Sequence, residues 1–391
     1  MIPAERLEVF AVEDTTAQIV WGGLGPGAVR LCWPGGERDG RSVGGPGGMV
    51  IDGLAPGTTT EVEVLLDGRT AGRVAVTTLA PPPGRELARF ATLNDLHLGT
   101  RRFGRFPEFV EDVPHARAHP VRCARAAVDD AIAWGAQRLV VKGDIVHASH
   151  PHTWTMVGDV FGDTAIPVDL LCGNHDRNHI STVDPFTEAG RSGLTLRRHV
   201  TTIDLDGLRL VLIDSSVNWL DIGVWRPHTA AVRQAVATTD LPVMLLVHHQ
   251  PQETTIPLYI PRGIPAVVAN RFLRTMRDAN PRIIGSSGHT HRNRHRTIEG
   301  VPWSEIGSPK DYPGVWAGYV VYTGGIRQVV RRITRPDCIG WTEQTRRVAG
   351  GTWGRWSPGT LDQRCFTHQW PELSGRRAVT SPTEVGRRGR S

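Results

Sequence analysis

An α/β fold preceded by a small all-β unit is what this sequence predicts, and three observations predict it. Residues 5–80 alternate apolar and polar positions in short runs broken by Gly and Pro clusters. Beyond residue 84, apolar strand-like runs alternate with stretches of helical periodicity. Five short blocks rich in Asp and His each follow directly on one of those apolar runs. Open α/β sheets carry their sites at that edge, past the carboxyl ends of the strands.

The first unit spans residues 1–80, with runs at 18–21, 29–33, 60–66 and 73–77 that recur about every ten residues, the rhythm of a small β-sandwich. Pro81, Pro82, Pro83 and Gly84 make residues 81–86 a stiff linker. The main domain covers 87–323. A strand at 88–93 leads to the first polar block, and Val121, Ala124, Val128 and Ala131, spaced by three or four, predict a helix over 121–134. Strands follow at 139–141, 168–171, 211–213, 243–247 and 283–284. Residues 324–373 read as β-rich and then irregular, and Trp341, Trp353, Trp356 and Trp370 point to a segment packed back onto the main domain. Residues 374–391 have almost no apolar content and read as a disordered basic tail.

The chain has 391 residues, enough to bury a substantial core in two or three domains. Its net charge is +6, and only Lys142 and Lys310 among its 45 basic residues are lysines. The charge is uneven: residues 1–84 carry six basic and ten acidic residues, whereas residues 324–391 carry thirteen and five. A basic tail can track phosphates, but a solvated Arg-rich end is the simpler expectation, so nucleic acid is a remote partner. Five scattered cysteines form neither a disulfide framework nor a CxxC pair. With no signal-like amino terminus and no apolar run of membrane-spanning length, the expectation is a soluble cytoplasmic protein without a membrane partner.

The polar blocks are Asp95-Leu96-His97, Gly143-Asp144, Gly173-Asn174-His175-Asp176, His248-His249 and Gly288-His289-Thr290-His291. They offer carboxylate, amide and imidazole donors of the kind that hold Mn²⁺, Fe²⁺ or Zn²⁺. Seven of them suffice for two adjacent divalent ions sharing a carboxylate, the equipment of a metal-assisted hydrolase. In the two triplets, an extended backbone would turn both outer residues to one side and the middle residue away. Gly143, Gly173 and Gly288 precede donors where a sharp turn is expected.

These blocks, in this order over roughly residues 88–310, resemble the calcineurin-like metallophosphoesterase superfamily. The resemblance implies a four-layer αββα sandwich and phosphate ester hydrolysis by a metal-bound hydroxide. It implies that Asp95, His97 and His291 hold a first metal, that Asp144 bridges, and that Asn174, His248 and His289 hold a second. It implies that His175 contacts the phosphate and gives a proton to the leaving oxygen. His249, Arg177 and His147 are weaker candidates for substrate contact; His150 and His152 are further cleft candidates, and Asp176 is expected to fix local backbone. Where protein serine/threonine phosphatases carry Asp-Arg-Gly, this chain reads His147-Ala148-Ser149. Purple acid phosphatases have a tyrosine at the position of His147 and lack the counterpart of His97, so no tyrosinate-to-iron colour is expected. Residues 54–62 resemble the turn before strand F of fibronectin type III domains, with Thr60 where a tyrosine is usual. The Asp-x-His first block and His248-His249-Gln250-Pro251 resemble the branch acting on cyclic nucleotides or other small diesters. A phosphomonoesterase or nucleotidase is the alternative, with nuclease and non-catalytic scaffold more remote. The N-terminal unit is expected to brace the catalytic sheet or to form a homodimer surface.

Overall fold

Five strands open the chain: β1 (Glu8–Val12), β2 (Ala17–Trp33), β3 (Gly36–Ile51), β4 (Thr59–Leu66) and β5 (Arg69–Thr77). The computed structural model describes residues 4–104, 109–111, 117–217, 222–254 and 261–372, so the tail at 374–391 lies outside the described residues. The five strands form one hydrogen-bonded sheet. The runs expected as separate strands at 18–21 and 29–33 are the two ends of β2, which stays paired to β3 across a register shift between Trp21 and Leu24. On its other edge β2 pairs with β1 through residues 17–20 and with β4 through residues 29–32. Gly22, Gly23, Gly25 and Gly27 occupy its middle. Glycines bring no side chains to mark a period of two, and they commonly accompany a bulge, which is why the pattern broke there.

The rest of the chain runs β6 (Glu86–Leu93), β7 (Arg102–Phe103), β8 (Phe109–Val110), α1 (His119–Ala133), β9 (Leu139–Lys142), α2 (Pro151–Phe161), β10 (Val168–Leu171), α3 (Pro185–Arg191) and β11 (Thr195–Arg197). Next come β12 (Val200–Leu205), β13 (Leu208–Ile213), α4 (Thr229–Ala237), β14 (Val243–Val247), α5 (Ala266–Ala279), β15 (Ile283–Ser287), β16 (Arg294–Ile298) and β17 (Val301–Glu305). The last elements are β18 (Val315–Tyr322), β19 (Gly325–Arg332), α6 (Pro336–Thr345), α7 (Thr352–Trp356), α8 (Leu361–Arg364) and β20 (Phe366–Gln369). They build a seven-stranded sheet, β11-β10-β9-β6-β18-β19-β20, and a six-stranded sheet, β12-β13-β14-β15-β17-β16.

Strands buried on both faces need apolar residues on both, so they read as unbroken apolar runs. In β14, Met244 and Leu246 join Phe90, Val140, Leu210, Leu212 and Tyr319 in a cluster that takes residues from both sheets. Leu245 and Val247 point the other way, onto Val232 and Val236 of α4 and Phe272, Leu273 and Met276 of α5. Across the molecule, Ala91, Leu93, Leu139 and Val141 face Ala124 and Val128 of α1 and Trp154 and Val157 of α2. The segment after 323 is β-rich at its start, as expected, but the part expected to be irregular is largely helical. β19 and β20 extend the seven-stranded sheet, and α6, α7 and α8 lie between them.

The N-terminal sheet is fastened to β19. Glu13, 3% exposed, accepts from Arg327 at 2.9 Å, from Arg331 and from Trp134 Nε1 at 3.1 Å. Burial would push its carboxyl up, but Arg331 and Arg327 hold it below its ordinary value. The Gln18 side chain accepts from the Arg332 amide at 2.8 Å and donates to its carbonyl at 2.7 Å, as a strand edge would. The five cysteines are free. Among the described residues, no helix is long and apolar enough to cross a membrane.

Candidate metal centre

Five parallel strand ends from the two sheets deliver the polar blocks to one place. β6, β9 and β10 run parallel in one sheet, and β14 and β15 run parallel in the other. The loops after β6 and β9 zip together: Asp95 N donates to Gly143 O at 3.0 Å, His97 N to Asp144 O at 2.9 Å and Leu98 N to Ile145 O at 2.9 Å. The loop after β15 joins them where His289 N donates to Asp95 Oδ2 at 2.9 Å.

The two triplets are not extended. Asp95, His97, Asp144, His289 and His291 all have left-handed backbones, with φ between 46° and 70°. Such residues cost about 1–3 kcal/mol each and persist where surrounding contacts over-determine them, which is characteristic of functional sites. The outer residues still share a side while Leu96 and Thr290 turn into the interior, 0% and 2% exposed. The turn itself, not strand alternation, achieves this. Of the three glycines only Gly143 has a positive φ, 84°. Gly173 is required for closeness, since a Cβ there would lie 2.2 Å from Asp144 Oδ1; at Gly288 it would lie 2.7 Å from Asn94 Cβ.

The structure brings all seven expected donors together. His97 Nε2 is 3.1 Å from His291 Nε2 and 3.5 Å from Asp144 Oδ2, and His291 Nε2 is 3.7 Å from Asp95 Oδ1. His248 Nε2 is 3.4 Å from Asp144 Oδ1, 3.1 Å from Asn174 Oδ1 and 3.2 Å from His289 Nδ1. Donor atoms each about 2.1 Å from one tetrahedral ion stand roughly 3.4 Å apart, so these separations fit a shared cation. Burial works against charge on His248, yet Asp144 and Asp95 outweigh it and lift the imidazole to about 9, a measure of the pull these carboxylates exert on a cation. A metal taking this place displaces that proton. Burial and His248 push His289 the other way, to about 3, so it offers a lone pair.

Tautomers are set from behind. His248 Nδ1 donates to Lys142 O at 2.8 Å, and His289 Nε2 to Arg262 O at 2.8 Å, which leaves the opposite ring nitrogen of each for the site. His291 Nδ1 meets Asp311 Oδ2 at 2.7 Å, a carboxylate–histidine pair behind a donor. Asp311 was not singled out in the sequence, nor was Asn94, whose Nδ2 donates to Asp95 Oδ2 at 2.7 Å. A signal did exist for their neighbourhood, because both lysines of this arginine-rich chain lie here. Lys310 Nζ is 3.2 Å from Asp311 Oδ2, and Lys142 Nζ, wholly buried, donates to Ser286 Oγ at 2.7 Å. We expect Asp311→Asn to weaken metal binding about tenfold to hundredfold, read by competition against a chelator. Unchanged affinity would remove the outer carboxylate from the account.

The other expected residues divide. His175 lies at the site: its N–H donates to Asp144 Oδ1 at 2.9 Å, and its ring centroid is 4.5 Å from that of His97. His147 is solvent-exposed with its ring 5.0 Å from His175; burial of part of its ring and the nearby His175 lower it to about 4. His249, a weaker candidate for substrate contact, is 0% exposed, bonds Ser215 Oγ at 2.8 Å and has a ring nitrogen within 4.8 Å of ring nitrogens of His248 and His289. Arg177, a weaker candidate for phosphate contact, is engaged by Asp214 at 3.5 Å and Ser216 at 3.3 Å. His150 caps α2 and pairs with Thr182 Oγ1 at 2.8 Å, and its ring stacks on that of His152. Asp176 holds backbone, accepting from Val146 N at 2.9 Å and Gly173 N at 2.8 Å.

No protein-family model matches the chain. Over 174 residues it is 28% identical to a probable cyclic nucleotide phosphodiesterase of Psychrobacter arcticus, which is 42% of this chain and 60% of that protein. Over 173 residues it is 25% identical to a probable cyclic nucleotide phosphodiesterase of Psychrobacter sp. strain PRwf-1, 42% of this chain and 49% of that protein. The chain thus spans only 60% and 49% of these relatives' lengths. Among solved structures, a dimetal phosphatase from Danio rerio matches with a TM-score of 0.50 at 11% identity, covering 73% of this chain and 100% of that one. That likeness is one of fold.

Proposed function

We propose that the chain is a dinuclear metal-dependent phosphoesterase, its two sheets and outer helices forming an αββα sandwich, and that it hydrolyses small phosphodiesters, cyclic nucleotides among them. One observation carries the dinuclear reading: Asp144 divides its oxygens, with Oδ2 3.5 Å from His97 Nε2 and Oδ1 3.4 Å from His248 Nε2. Asp95, His97 and His291 would hold one ion, and Asn174, His248 and His289 the other, with Asp144 between them. Two such ions, when bound, neutralise phosphoryl oxygens and supply a nucleophile at neutral pH.

The chain's own residues orient and protonate. The His175 amide fixes the Asp144 carboxylate, donating to Oδ1 at 2.9 Å, in a pose from which it would bridge the two ions. The His175 ring is steered by the His147 carbonyl, 3.1 Å from Nδ1, which leaves Nε2 to pass a proton to the departing oxygen. The diester reading is supported by what the two Psychrobacter relatives are called. A panel of cyclic nucleotides, nucleoside monophosphates, an aryl diester and an aryl monoester, each assayed with Mn²⁺, tests it. Diesters should turn over faster than the matched monoesters. The reverse order would make the chain a phosphomonoesterase, and no turnover of any ester by the metal-loaded protein would sink the enzymatic reading.

A further inference from the structure

Trp341 and Trp370 are 7% and 9% exposed and serve packing, the former stacked 3.9 Å from the ring of His119. Trp356 is different, 40% exposed and one of six large apolar side chains so exposed among the described residues. It ends an aromatic run that begins at the metal centre. The ring of Phe103 is 6.2 Å from that of His291, Trp353 is 5.4 Å from Phe103, and Trp356 is 5.4 Å from Trp353.

The run is fixed relative to the donors. Trp353 Nε1 donates to Tyr312 O at 3.1 Å, one residue past Asp311. The amide of Asn293, two residues past His291, donates to Ser357 O at 2.8 Å, and the Arg292 guanidinium lies 4.5 Å over the Trp356 ring. Beside the run stands a cation, Lys310 Nζ, 4.7 Å from the Phe103 centroid and next to Asp311.

We propose that Phe103, Trp353 and Trp356 form a stacking platform for the organic group of the substrate, so that the site takes phosphate esters bearing a flat aromatic ring, a nucleobase above all. The proposal rests on the phosphoesterase reading and deepens it. With Phe103 6.2 Å from His291, a phosphate at the donors and a base on Phe103 and Trp353 would be joined through the sugar, with Lys310 close to Phe103. Stacking reads a π-face, not a hydrogen-bonding edge, so purines and pyrimidines should both be accepted.

Titration calorimetry of the Mn²⁺-loaded full chain with AMP, UMP and ribose 5-phosphate tests this, because the last carries a hydroxyl where the nucleotides carry the base. AMP and UMP should each bind about tenfold tighter than ribose 5-phosphate. That advantage should fall toward one in Trp356→Ala and Trp353→Leu and persist in Trp353→Phe. Equal affinities for AMP and ribose 5-phosphate in the unaltered protein, or an advantage that survives both truncations, would overturn the platform. If the binding of all three ligands were indifferent to Mn²⁺, the phosphoesterase reading would fall as well; metal-dependent binding without preference for the base sinks the platform alone.

Discussion

Asp144→Ala should lose metal and lower turnover of an aryl diester about a thousandfold, since the charge stabilisation provided by bound divalent ions is worth several kcal/mol. Asp144 and Asp95 are the only carboxylates among the seven donors, so this change removes half of the formal negative charge available to four positive ones. It also removes the group that His97 and His248 face from opposite sides, at 3.5 Å and 3.4 Å, and the acceptor of the His175 amide. Asp144→Asn is the sharper comparison because it keeps the shape and gives up the charge. Full turnover in either variant would show that the bridge is misassigned.

Gly173→Ala should be nearly as damaging, although it adds one methyl group and leaves every donor in place. Its Cβ would stand 2.2 Å from Asp144 Oδ1 and 2.4 Å from Asp144 N, where backbone cannot yield without moving the loop after β9. A misplacement of about 1 Å at a reacting centre costs on the order of a hundredfold in rate, and that is the loss we expect. Gly190→Ala is the control: it lies in α3 with nothing within 4 Å of the added carbon and should fold and act normally. Wild-type activity in Gly173→Ala would mean that the β9 and β10 loops are slack.

These two residues also show what was legible in the sequence. The run at 243–247 coincides with β14 because a strand buried on both faces admits little but apolar residues, and that at 168–171 coincides with β10 although Asp169, buried and paired with Arg138 and Arg197, interrupts it. β2 hid behind its glycines, and α6 to α8 behind short lengths and mixed polarity. The donors were legible as types at fixed spacings. Directions were not: Arg177 is claimed by Asp214 and Ser216, which follow β13 of the other sheet, and His249 by Ser215, which follows the neighbouring strand of its own sheet. Asp311 was invisible for the same reason, its role existing only through a hydrogen bond to His291 twenty residues earlier. The left-handed backbone at five of the seven donors is only weakly marked in the sequence, since Asp and His are enriched in that region but adopt it in a small minority of their positions.

Whether Asp144 joins two ions is read from elemental analysis of the purified chain after Mn²⁺ or Zn²⁺ loading and dialysis. Close to two ions per chain are expected in the native protein and substantially fewer in Asp144→Ala. One ion or none retained by the native protein, or two retained without Asp144, would contradict that bridge.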